Sequence, residues 1–118
     1  MNTTEVPMPQ PLIVTEKATV AASIAIQLAM HVKAPLSPLA DQVIRSASSV
    51  PANLSEGHGR IGRDRLHFWR IAYGSNKEVD VHLRLLVSVG AIDATSAERA
   101  TRSFDEVRAM TWRFLHPR

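Results

Sequence analysis

The sequence contains no cysteine. That removes disulfides, thiolate zinc sites, iron–sulfur clusters and cysteine nucleophiles together, and it fits a reducing, cytoplasmic setting. Lysine is scarce: of 14 basic residues only Lys17, Lys33 and Lys77 are lysines, and the rest are arginines. The apolar run from Val20 to Met30 is too short to span a bilayer as a helix. Glu5 and Glu16 spoil the positive segment that a signal peptide needs before such a run. No membrane partner is expected. The signatures of chemistry are missing as well: there is no G-x-S-x-G, no H-E-x-x-H, and no pair of Glu-x-x-His motifs of the kind di-iron bundles carry. Glu78 and His82 stand at i,i+4, but two ligands on one helix face are not a metal site. The expectation is a protein without catalytic residues, cofactor or metal, and not an enzyme.

What is present is an ordinary globular composition, 45% hydrophobic and 21% charged. At 118 residues the chain is one domain, able to bury roughly two-thirds of its unfolded surface. Its formal charge is +3 and its isoelectric point about 10.0. The planar fork of arginine suits phosphate and carboxylate, so a polyanion is one class of partner and an acidic protein the other. A solvated surface of internal ion pairs is the alternative to both.

Residues 1–14, with Pro7, Pro9 and Pro11, read as a flexible proline-rich arm, and residues 15–118 as the folded domain. Thr15 caps a first helix to about Lys33, whose stripe of Ala18, Ala21, Ala25, Leu28 and Val32 has helical spacing. Ser37-Pro38 opens a second helix through Val43, Ile44, Ala47 and Val50. Pro51 then removes a bond to the Ala47 carbonyl, so the helix kinks or stops, with Ser46, Ser48 and Ser49 near enough to serve the loosened backbone. After Glu56, Gly57 or Gly59 supplies a left-handed residue that ends it. A long helix spans Asp64 to Val89 with Phe68, Ala72, Ser75, Val79, Leu83 and Leu86 inward, and its interior Gly74 marks a close helix crossing. Thr95 and Glu98 form a capping box for a last helix. Its inward stripe is Ala97, Ala100, Phe104, Val107, Thr111 and Phe114, and Glu98, Arg102 and Glu106 pair at i,i+4 outside. Four helices joined by short turns predict an all-α, antiparallel up-and-down four-helix bundle.

The stretch SEGHGRIG, Ser55 to Gly62, matches the dinucleotide fingerprint G-x-G-x-x-G letter for letter. That loop works only where a strand enters and a helix leaves, so that the helix N-terminus meets the pyrophosphate. Here a helix enters, and the glycines read as a helix–helix turn.

The same region carries a more specific pattern. Ser49, Pro51, Asn53, Glu56, Gly57, Gly59 and Arg60, followed by Arg70, Ala72, Gly74, Ser75 and Glu78, resemble the motif of a bacterial four-helix-bundle family. That family includes proteins encoded in intervening sequences of large-subunit ribosomal RNA genes. The resemblance runs from Arg45 to Ile92. It departs in the alanine-rich first helix and at Gly62, where the family often has a serine or threonine cap. It implies a homopentameric bundle, and distant relatives are nucleic-acid-binding accessory proteins beside a retroelement reverse transcriptase.

Within the motif, Asn53 and Glu56 lie where helix-end carbonyls and turn amides need partners, and Arg60 is placed to pair with Glu56 or Glu78. Trp69, Tyr73, Trp112 and Phe114 admit two readings, as stacking platforms beside arginines or as packing between helices or subunits, and helical spacing favours packing. The candidate nucleic-acid contacts are Arg60, Arg63, Arg65 and Arg70, with RNA or a nucleoprotein as partner. A protein-interaction scaffold with no nucleic-acid role is the alternative.

Overall fold

The computed structural model describes residues 10–117. Four helices account for nearly all of them: α1 (Pro11–Met30), α2 (Ser37–His58), α3 (Gly62–Ser88) and α4 (Ala94–Leu115). Each packs on two neighbours in the closed order α1–α2–α3–α4–α1. The joining loops, 31–36, 59–61 and 89–93, are short enough that successive helices run antiparallel. The result is an elongated all-α four-helix bundle of 55 × 29 × 19 Å.

α1 begins earlier than its apolar stripe suggests. Pro11 stands at its first turn, where a missing N–H costs nothing, and Val14 is fully buried. Thr15 is therefore inside the helix rather than its cap, and its hydroxyl donates to the Pro11 carbonyl at 2.8 Å. Of the arm expected over residues 1–14, residues 1–9 lie outside the described residues and 11–14 are helical. α1 has the length and apolar composition of a membrane span. Its inner face of Ala18, Ala21, Ala22, Ala25 and Ala29 is buried against α2 and α4. Alanine removes little area per residue but lets helix axes approach closely, so the bulk comes from opposite: Leu54, Leu83, Leu86 and Phe104 fill the centre.

α2 runs unbroken through Pro51 to His58, with Leu36 at its N-cap and Ser37 already helical. The serine hydroxyls do not serve the Ala47 carbonyl: Ser46 donates to Gln42, Ser48 to Arg45, and Ser49 meets Ser75. In α3 the buried stripe is Trp69, Ala72, Asn76, Val79, Leu83 and Leu86. Its intervals of three and four alternate strictly, which turns Trp69 and Asn76 inward in place of Phe68 and Ser75. Buried Asn76 donates to the Phe104 carbonyl of α4 at 3.0 Å, so its amide nitrogen is bonded rather than orphaned.

α4 starts at Ala94 under an Asp93 cap, whose carboxylate accepts from the Ser96 N–H at 2.9 Å. The expected Thr95–Glu98 box is not formed, because Glu98 is taken by Arg102. Glu106 reaches across to Lys17 of α1 at 3.0 Å instead of pairing with Arg102. The inward stripe of α4 is as expected from Ala97 to Thr111, with Phe114 half-buried.

Candidate nucleic-acid interface

The α2–α3 turn is closed by a glycine and a tryptophan. A Cβ on Gly57 would lie 2.5 Å from both Cδ1 and Nε1 of Trp69, a distance real side chains do not reach, so α2 can pass the indole only with glycine there. The indole N–H donates to the Leu54 carbonyl at 3.4 Å, and the ring lies against Phe114 with centroids 4.8 Å apart. Gly57 and Gly59 are both right-handed. The left-handed residue of the turn is Gly62 (φ 60°), the first residue of α3, and the conformation that a Cβ would strain is the reason a glycine opens this helix. No strand enters the turn, so the dinucleotide reading falls on geometry.

Arg65 caps α2 from outside. Its Nε donates to the Gly57 carbonyl, which also accepts from the Arg60 N–H, and an Nη to the His58 carbonyl, all at 3.1 Å, so the last acceptors of α2 are served. Its guanidinium also sits 5.3 Å from the Trp69 ring centre. Arg60 is held by Glu56 at 2.9 Å, with Asp64 at 3.9 Å and the Phe68 ring 5.0 Å away. Two of the four sequence-predicted contacts are thus engaged in holding the turn. Arg63 and Arg70 are exposed and make no ion pair among the described residues.

Four other motif residues, Ser49, Asn53, Ser75 and Glu78, lie in the α2–α3 seam. Ser49 and Ser75 hydroxyls meet at 2.8 Å, and the Asn53 amide donates to both the carbonyl and the hydroxyl of Ser49, at 2.8 and 2.9 Å. Glu78 pairs with Arg45 of α2 and lies 3.3 Å from Nε2 of His82. Its carboxylate is therefore occupied by a cation from the neighbouring helix rather than by Arg60. Gly74 does not mark a crossing within the bundle: it is exposed, and nothing lies within 4 Å of where its Cβ would stand.

Gly74 belongs to the outermost face of α3, where Ile71, Val81 and Leu85 are also exposed. The helical repeat puts these four positions on one stripe, opposite the buried one. Between that stripe and α4 runs a third face with Arg70, Tyr73 and Lys77, and Tyr73 reaches Trp112 of α4 at 5.9 Å between ring centres. Sequence reasoning treats Trp112 with Trp69 and Phe114 as packing. Trp69 and Phe114 do pack together, whereas Trp112 is 48% exposed. Its place one residue past Thr111 in the inward stripe is the signal that it faces outward.

A bundle of four antiparallel helices with a basic turn locked by a glycine–indole contact defines a small all-helical class. The chain belongs to the 23S rRNA-intervening sequence protein family, whose model matches residues 10–113. In fold it is similar to the crystal structure of a protein of unknown function from the S23 ribosomal protein family of Bacteroides thetaiotaomicron. The TM-score is 0.81 at 20% sequence identity, over 89% of this chain and 96% of that one. Comparison with curated proteins gives no match.

Proposed function

We propose that this protein is a non-enzymatic, self-associating bundle that binds RNA through the arginine-bearing surface at the start of α3. The observation that carries the RNA reading is the contrast among four neighbouring arginines. Arg60 and Arg65 are used up in the turn, while Arg63 and Arg70 project from α3 without a carboxylate within 4.0 Å among the described residues. Arginines left unneutralised on a protein of formal charge +3 raise the local anion concentration and present forks suited to phosphate. Membership in a family described by its link to 23S rRNA genes agrees with an RNA partner. A cytoplasmic setting is part of this reading.

Self-association is supported by the outer stripe of α3. A glycine in the middle of an exposed helix costs about 1 kcal/mol relative to alanine, and Gly74 has no neighbour in its own bundle to account for that cost. With Ile71, Val81 and Leu85 exposed along the same line, the stripe suits close approach by another copy of the chain. A homopentamer is the assembly we propose. Repetition around a ring would multiply a weak arginine–phosphate contact into useful avidity.

Titration of the purified, nuclease-treated protein with RNA across a salt series tests the reading. Binding that weakens steeply with salt supports it. A folded protein that ignores RNA at modest salt but retains a nuclease-resistant protein partner would establish the scaffold reading instead.

A further inference from the structure

We infer that the ledge formed by Tyr73, Trp112 and His116 between α3 and α4 is a stacking seat for unpaired bases of single-stranded RNA. The inference rests on the RNA-binding reading above and names the form of RNA and the residues that would hold it. The ledge is a layered set of rings rather than isolated aromatics. The His116 imidazole stacks on the Trp112 indole with centroids 3.5 Å apart and planes 27° from parallel, and Tyr73 braces the indole from α3. His116 is fixed in that pose by its own position. As the C-cap of α4 it bonds back to the Trp112 carbonyl through its backbone N–H at 2.9 Å, and its Nδ1 lies 3.0 Å from the same oxygen.

The indole and the imidazole are both exposed. Packing within the bundle therefore leaves about half of the indole open, in contrast to Trp69, which is 6% exposed under Gly57. A planar base added to the outer face of His116 continues the stack that the two rings begin. Stacking of this kind accepts any base, because every base has a π-face, and it requires that the base be free of a duplex.

The charges around the ledge complement a phosphate backbone. Arg70 and Lys77 flank Tyr73 at one turn on either side, with the Lys77 ammonium 6.0 Å from the tyrosine ring centre. The acids two turns from the ring residues on each helix pair elsewhere: one oxygen of Asp80 holds Arg84 at 3.1 Å and Asp105 holds Arg108 at 3.2 Å. Two cations thus stand beside three rings with no carboxylate set against them, the combination that tracks a single strand and stacks its bases.

The test compares a 12-nucleotide oligoadenylate with a self-complementary RNA duplex of equal length, read by quenching of tryptophan emission and by direct titration. Oligoadenylate should quench the exposed Trp112. Trp112→Leu should lower oligoadenylate affinity about tenfold while leaving duplex affinity unchanged, and Trp112→Phe, which keeps a ring in place, should lose no more than about threefold. His116→Ala should weaken single-strand binding as well. Unchanged oligoadenylate affinity in a folded Trp112→Leu protein whose parent binds RNA would overturn the seat and leave the arginine surface standing. Equal losses for single strand and duplex would overturn it too, since stacking on an open face cannot act on a paired base. A parent protein that binds neither RNA removes the RNA reading itself, and the seat with it.

Discussion

A methyl group at Gly57 would stand 2.5 Å from two atoms of the Trp69 indole and 3.1 Å from the Arg65 carbonyl oxygen. The indole cannot retreat without breaking its contact with Phe114, and backbone cannot retreat cheaply at all. Gly57→Ala should therefore destabilise the fold by about 1–3 kcal/mol, read as a lower thermal midpoint. Gly74→Ala adds the same methyl group to open space, so a dilute, dissociated protomer should gain up to about 1 kcal/mol of helix propensity. The two glycines share one motif and have opposite physics. Sequence alone reads Gly57 as a left-handed helix end and Gly74 as the close crossing, because it gives the spacing of glycines but not which helix face meets another helix. Arg65 was equally opaque: its charge suggests phosphate, while its position eight residues after Gly57 makes it the cap of α2. Arg65→Ala should consequently lower stability, by about 1 kcal/mol or more, as well as charge, and its unfolding midpoint separates that role from a pure RNA contact.

The helices were legible in outline from periodicity, and their errors have local causes. α1 starts four residues before the expected Thr15 cap because Pro11 is a better opening residue than a threonine whose hydroxyl bonds back to it. α4 takes Asp93 rather than Thr95 because a carboxylate reaches both the Ser96 N–H and its hydroxyl. In α3 the expected stripe preferred Phe68 and Ser75, and the observed one turns Trp69 and Asn76 inward. A buried asparagine is paired only by its tertiary partner, the Phe104 carbonyl, and no local pattern announces that. Asn76→Ala should cost about 1–3 kcal/mol, since it removes a buried donor and leaves the carbonyl of a neighbouring helix unserved. Chemical denaturation at constant m-value would measure it. The outer stripe of the same helix makes a separate prediction. Val81→Glu combined with Leu85→Glu should leave helicity intact by circular dichroism and shift the protein toward monomer by light scattering, because both side chains are exposed in the single bundle.

At the scale of the whole molecule, α3 has a different task on each side. Its inner stripe builds the core, and its α2 flank holds the Ser49–Asn53–Ser75 and Arg45–Glu78 contacts. Its outer face carries the exposed apolar stripe, and its α4 flank bears Arg70, Tyr73 and Lys77 beside Trp112. The proposed RNA surface and the proposed subunit contact therefore adjoin without overlapping in the core, and each can be altered while the bundle stays folded. Arg63 and Arg70, left free of the turn, are the residues proposed to bind phosphate. The most direct measurement is the slope of log affinity against log salt for RNA, with the parent protein beside Arg63→Ala/Arg70→Ala. The double variant should bind every RNA tested more weakly, with a slope smaller by about two and an unchanged thermal midpoint. An identical slope in the two proteins, both folded and both binding RNA, would contradict that assignment.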